Sequence, residues 1–419
     1  MRSGWIVITS LLATATACVG RVDAPRADHA VADPIEDVLT VGAPDGSVIV
    51  TSTSGSVLSS GEDRVASPDG TRLYAATARG TSTVLEVRDT STGAQVSETS
   101  VEGRLDVRVA SLSGEMVALI PPLPRGIDPT IAFPRARTTI VVADPAGERA
   151  PRRYALDGNF EPEAFSIDDR RLFLIQYLPA LAPSAYRVTF LDLGSGRVHP
   201  VFGRFDSPPE RMPGVRLAQL FDPTAEQLYT LYTNRPAEHF HDHWQDASYR
   251  DREVSFVHVL NLRQGWAYCA GLPRALWGQP ARAQALAPSS DGRSLFVVDA
   301  MRGIVTELNT RTMATTRTER VDLGRLGRGR TSVVVSPDGS TLFVGVARAS
   351  VVRIDARTLD VLGRWTLPDD VRAMALSTDG ARLYAAVGDG VAIVDTSSGE
   401  TLSTLSIGPI GSIVHVATP

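Results

Sequence analysis

One motif returns along the chain at intervals of 41 to 67 residues, and it constrains the fold more than any other feature. Four copies are clear. They are Ser67-Pro68-Asp69-Gly70 followed by Leu73-Tyr74, Ser289-Ser290-Asp291-Gly292 by Leu295-Phe296, Ser336-Pro337-Asp338-Gly339 by Leu342-Phe343, and Ser377-Thr378-Asp379-Gly380 by Leu383-Tyr384. Weaker copies stand at Ser111-Leu112-Ser113-Gly114, at Ser166-Ile167-Asp168-Asp169 with Leu172-Phe173, and at Asp222-Pro223-Thr224 with Leu228-Tyr229. Each reads as a short apolar strand, a tight turn, and a second strand opening on Leu and an aromatic. An alternating third strand follows, such as Val84 to Asp89, and ends in Asp or Asn before a Gly-containing turn; its counterparts end at Asp144, Asp192, Asn261, Asn309, Asp355 and Asp395. These side chains invite a catalytic reading, but they recur at one topological position where a short polar group closes an Asx-turn, which makes them structural. A fourth, more polar strand completes the unit, as in Thr401 to Leu405.

Four short antiparallel strands cannot bury both faces of their sheet alone, so seven such units must stack radially into a β-propeller. The 35 Gly and 27 Pro supply the turns, and 43% hydrophobic residues supply a large core. The units resemble YVTN-type and WD40-like propeller repeats through Ser-Pro-Asp-Gly-x-x-Leu-aromatic and Val-x-Asp-x-x-x-Gly, over about residues 60 to 408. The expected fold is all-β, a single propeller of seven four-stranded antiparallel blades. Spare strands at Ser47 to Thr53, Ser56 to Ser60 and Gly411 to Ala417 set the alternative: eight blades, one split between the termini. The resemblance implies a fold and no single activity, because this architecture hosts lyases, lactonases, dehydrogenase subunits and pure binding platforms.

The N-terminus reads as an address. Arg2 precedes an apolar run from Trp5 to Ala17, too short for a retained membrane span and of the right length for a secretory signal. The run ends in Ala15-Thr16-Ala17-Cys18, which resembles a bacterial lipobox with Cys18 as the acylated residue; cleavage near Ala17 and ordinary secretion is the alternative. The expected organisation is a signal peptide over 1–17, a tether over 18–35 and the propeller over 36–419. The expected location is extracytoplasmic, either membrane-anchored as a lipoprotein of the cell envelope or soluble and secreted. A thioether on Cys18 forbids a disulfide to the only other cysteine, Cys269, which then becomes a packed, inert thiol.

Strand parity sorts the connections by end. The turns between first and second strands and between third and fourth strands share one end, here called the Asp-Gly end. The connections between second and third strands share the other with the links between blades. Three insertions, roughly Pro121 to Arg137, Tyr177 to Tyr186 and Thr233 to Glu253, therefore emerge together from adjacent blades at what we call the insertion end. Long loops on a rigid scaffold are where binding concentrates. Phe133, Tyr177, His239, Phe240, His241, His243 and Trp244 are the candidate ligand contacts, since aromatic and imidazole groups on projecting loops favour recognition. On an extended segment His239, His241 and His243 point the same way and can offer three imidazoles to Zn or Cu; a solvated loop is the plainer alternative. His258, on the next strand, reads as a core residue. Leu323 to Arg330 holds three arginines among glycines but lacks the GxGxxG order and precedes a strand, so it reads as a connector.

All 42 basic residues are Arg, which excludes Schiff-base lysines, a P-loop and an SxxK nucleophile pair. A net charge of -5 gives no overall bias toward nucleic acid. GxSxG, CxxC, CxxCH, HExxH and EF-hand motifs are absent from the sequence. The reading is a monomeric, non-catalytic scaffold without cofactor that binds an envelope protein or a small-molecule ligand at the insertion end. The alternative is a propeller enzyme of the YVTN-like lactonase or lyase kind, with a divalent metal at the His239 to His243 loop and a pocket of paired acidic and basic residues.

Overall fold

The computed structural model describes residues 36–418, apart from 45, 62–63, 125–131, 206–210, 213, 223–225, 234–254 and 347. The described residues form eight β-sheets. Seven follow one another along the chain as the seven repeats do. Blade 1 is typical: Arg64–Ala66, Arg72–Arg79, Ser82–Asp89 and Gln95–Glu102, each strand antiparallel to the last. The innermost strands of blades 2 to 7 are Asp106–Ala110, Asn159–Phe165, Val215–Asp222, Gln284–Pro288, Ser332–Val335 and Val371–Leu376. Blade 4 gains a fifth strand, Phe202–Gly203, parallel to its outer strand Trp266–Gly271.

The eighth blade corrects the expectation of seven. The C-terminal strand Ser412–Ala417 pairs with Val38–Ala43, which pairs with Gly46–Thr51 and that with Val57–Gly61. Sequence reading found three of these four strands and missed Val38–Ala43, whose short run Val-Leu-Thr-Val abuts the tether and carries no turn motif. With that strand the spare pieces make a full blade, not a supplement to an existing one.

A deep polar latch secures this closure. Asp37 is fully buried; it accepts hydrogen bonds from the Tyr384 hydroxyl of blade 7 at 2.5 Å and from the Thr418 hydroxyl at 2.9 Å, while its backbone N–H donates to Ser52 Oγ at 2.8 Å. Burial raises the Asp37 carboxyl above its ordinary value, partly countered by the Tyr384 and Thr418 hydroxyls.

Between blades the side chains of facing sheets interleave into apolar seams. Val344, Val352 and Ile354 of blade 6 meet Val298 and Val305 of blade 5, all fully buried. Each such side chain contributes about 1.5–3 kcal/mol on removal from water. The turns repeat as faithfully. Ser67, Ser166, Ser289, Ser336 and Ser377 each donate a hydroxyl hydrogen bond to the Asp two positions on, at 2.5–2.7 Å. The turn glycines adopt left-handed φ, and a Cβ on Gly380 (φ 73°) would stand 2.6 Å from Pro337 Cδ of the neighbouring turn. Glycine here serves both conformation and close approach.

The third-strand residues Asp89, Asp144, Asp192, Asn261, Asn309, Asp355 and Asp395 each accept from a backbone N–H two or three residues on, as an Asx-turn requires. Hydroxyl and amide donors, Ser91 foremost at Asp89 and Ser397 at Asp395, hold those carboxyls below their ordinary values. They are ionised turn closures.

Candidate functional site

The eight inner strands enclose a channel whose chemistry changes around its circumference. In blades 2 to 4 they carry charge. Asn159–Phe165 carries Glu161 and Glu163, and a bulge between Pro162 and Ala164 leaves Glu163 without a partner in the strand register. Glu161 is clasped by two guanidiniums, Arg108 Nε at 2.9 Å and Arg135 Nη1 at 3.1 Å. Glu163 lies deeper, its side chain 3% exposed, and pairs with Arg216 Nη1 of blade 4 at 3.2 Å while accepting from the Gln219 amide. Burial raises the Glu163 carboxyl against the pull of Arg216 and Gln219. Burial alone would weaken the Arg216 guanidinium's hold on its proton, but Glu163 foremost reverses this and raises it. Buried ion pairs of this kind cost about as much in desolvation as they return, so their value lies in fixing geometry across the seam between blades 3 and 4.

Two of the sequence-selected residues lie beside this network. Phe133 is half-buried in the blade 2 insertion, and its carbonyl accepts from Asn159 Nδ2 at 2.7 Å. The same amide donates to the Ala180 carbonyl of the blade 3 insertion at 3.1 Å. One buried side chain thus ties two insertions together, with its Oδ1 left unpartnered among the described residues. Arg135 adds a second brace, donating to the Phe160 carbonyl at 3.2 Å as well as to Glu161. Tyr177 pairs in register with Asn159 and Tyr186 and is half-buried against the seam where Tyr186, Tyr232 and Phe256 stack at centroid distances of 4.8 and 5.4 Å. Burial raises its hydroxyl above the ordinary tyrosine value.

His239, Phe240, His241, His243 and Trp244 lie outside the described residues, as do Cys18, the signal and the tether. The strand ends that flank the histidine segment, Thr233 and Ser255, pair with each other at the insertion end. His258 is buried, and burial pushes its imidazole down to about 4, so it is a neutral core group at pH 7. Cys269 is half-buried with its Sγ 3.1 Å from Met212 Sδ. In the Leu323 to Arg330 segment the backbone is pinned by Gly327 N–H to the Val346 carbonyl at 2.8 Å and by Arg282 to the Gly327 carbonyl at 2.7 Å, with Arg325, Arg328 and Arg330 exposed. Among the described residues no cluster of three His, Cys, Asp or Glu side chains is arranged to hold a metal, and no helix is long and apolar enough to cross a membrane.

Sequence reading missed Arg108, Glu161, Glu163, Arg216 and Gln219. The signal was present: the inner strands of units two to four hold charged and amide residues in their middles, where those of units five to seven run Ala285-Leu286-Ala287, Val333-Val334-Val335 and Ala373-Met374-Ala375-Leu376, with Gln284 and Arg372 only near their starts. The opposite wall of the channel is accordingly apolar. A cavity of about 500 Å³ opens there toward the Asp-Gly end, and a smaller one of about 220 Å³ lies over Arg108, Glu163 and Gln219.

No protein-family model matches the chain, and no curated protein matches it in sequence. Solved structures do. Apo AztD from Citrobacter koseri superposes with a TM-score of 0.57 at 11% identity, covering 91% of this chain and 98% of that one. A second structure of AztD from the same organism gives 0.55 at 10% identity, with 91% and 97% covered. The dihydro-heme d1 dehydrogenase NirN, in complex with DHE, gives 0.54 at 15% identity, with 91% and 75% covered. At such identities the likeness speaks for the fold alone. The chain is an eight-bladed β-propeller.

Proposed function

We propose that this propeller is a non-catalytic binding scaffold of the bacterial cell envelope that takes a protein partner or small ligand at its insertion end. The observation that carries the reading is the double hydrogen bond from Asn159 to the Phe133 and Ala180 carbonyls, which joins two insertions into one surface. Loops that merely cover a channel mouth need no such tie; loops held for recognition gain from it, because ordering paid during folding is not paid again on binding. Phe133, Tyr177, His239, Phe240, His241, His243 and Trp244 are the proposed contacts, and the ligand class includes a divalent metal at His239, His241 and His243.

The paired Arg and Glu side chains of the channel are what the lactonase or lyase reading called for, so that reading keeps one supporting observation. Glu161 and Glu163 are each committed to guanidinium or amide partners, which suits positioning better than proton transfer. A lipid on Cys18 would hold the propeller by its Asp-Gly end, because Val38–Ala43 runs from that end as the second strand of its blade. The insertion end then faces away from the membrane, toward a partner. Deleting residues 237–246 should leave the unfolding transition intact and abolish capture of envelope proteins by carboxylate-directed crosslinking, the chemistry a lysine-free chain requires. An unchanged capture profile would refute the scaffold reading at this loop, and stoichiometric metal together with ester hydrolysis would favour the enzyme.

A further inference from the structure

The apolar wall of the channel belongs to neither reading. We infer that the cavity between blades 4 and 7 at the Asp-Gly end is a binding site for a neutral, mainly apolar small molecule, distinct from the insertion-end surface. Its volume of about 500 Å³ falls within the usual range for small-molecule sites. Leu220, Leu286, Val334, Met374 and Leu376 contribute to its walls, and no ionisable side chain lines it.

Two features set the ligand's chemistry. First, the hydroxyls at the mouth are largely spent: Ser377 donates to Asp379 at 2.6 Å and Thr378 shares a hydrogen bond with Thr418, leaving Ser290. Water needs two to four polar partners, and apolar cavities of this kind prefer apolar guests. Second, the inner strands Ser332–Val335 and Val371–Leu376 have a strand partner on one side only, Thr341–Gly345 and Arg382–Val387. Across the seam the Met374 N–H donates to Ser332 Oγ and the Val371 N–H to the Arg348 carbonyl, each at 3.1 Å, and the rest of the open edge turns backbone polar groups to the channel. An apolar body bearing an uncharged amide, carbonyl or hydroxyl satisfies both walls and edge. A carboxylate or ammonium would lose its hydration with no counter-charge to meet it.

The test uses the full chain and N-phenyl-1-naphthylamine, a neutral apolar fluorophore. Saturable enhancement at one probe per chain is expected. Ala375→Trp, which fills the volume, and Val334→Asp, which charges the wall, should each weaken binding at least tenfold, while Arg135→Ala at the other end leaves it unchanged. A readout free of any variant accompanies this: on probe saturation, amide exchange in 332–335 and 371–376 should slow. Absence of saturable binding, equal binding by folded Ala375→Trp, or protection confined to other blades would overturn the inference.

Discussion

The channel wall of blades 2 to 4 and that of blades 5 to 7 share one blade plan and nearly the same turns, yet the middles of their inner strands differ in chemistry. On the first, Arg108, Glu161, Glu163 and Arg216 lock neighbouring blades through charge. On the second, Leu286, Val334 and Leu376 leave an apolar cavity. The repeat fixes what each blade must conserve to pack against its neighbours. The inner strand shares that duty through residues such as Phe160, Ala287 and Val333, but its channel-facing residues are free of it, and they are where the two walls diverge.

The comparison is most severely tested by Arg216→Ala. It leaves Glu163 buried with only the Gln219 amide, and breaking a buried pair in this way costs about 3–5 kcal/mol. Urea unfolding reads the loss. The pH dependence has a fixed sign. Burial raises the folded Glu163 carboxyl above its unfolded value, so between those values the native state holds the extra proton. Stability from this group is therefore full at acid pH and falls as pH rises through the folded value. The deficit of Arg216→Ala should accordingly shrink on acidification; a deficit independent of pH would remove the charge argument.

Met374→Ala probes the other wall. Met374 is 6% exposed, and its truncation should cost about 2–3 kcal/mol with no change between pH 5 and 8. A pH-dependent loss there would erase the distinction. Smaller still is the effect at the seam that closes the ring. Asp37→Ala removes the carboxyl that accepts from the Tyr384 and Thr418 hydroxyls and should cost about 1–3 kcal/mol, with Asp37→Asn milder at pH 7 because burial already disfavours the charged form. Equal losses from both variants would mean that the carboxylate charge, and not the hydrogen bonds, holds the latch.

Much of this molecule was legible in its residues, and the limits have physical causes. Ser-x-Asp-Gly turns and Asx closures are local, made within about six residues, so seven blades and the structural role of Asp89 through Asp395 could be read directly. Val38–Ala43 could not, because its partners lie at the far C-terminus and its pairing with Ser412–Ala417 is a contact between chain ends. The ion pairs of the channel were hidden for a related reason. Glu163 and Arg216 are 53 residues apart and meet only when blades 3 and 4 are set side by side. Phe133 was chosen as an aromatic contact, whereas what the structure brings forward is its carbonyl, held by Asn159.

The central claim is that capture of a protein partner belongs to the insertion end and not to the Asp-Gly end, whose apolar cavity has room for a small molecule alone. Its most direct test is quantitative carboxylate-directed crosslinking to envelope extract with the wild type, Arg135→Ala and Ala375→Trp side by side. The account predicts that Arg135→Ala, which frees the blade 2 insertion from Phe160 and Glu161, reduces capture at least fivefold while Ala375→Trp matches the wild type. Full capture by folded Arg135→Ala, with loss in Ala375→Trp, would contradict it.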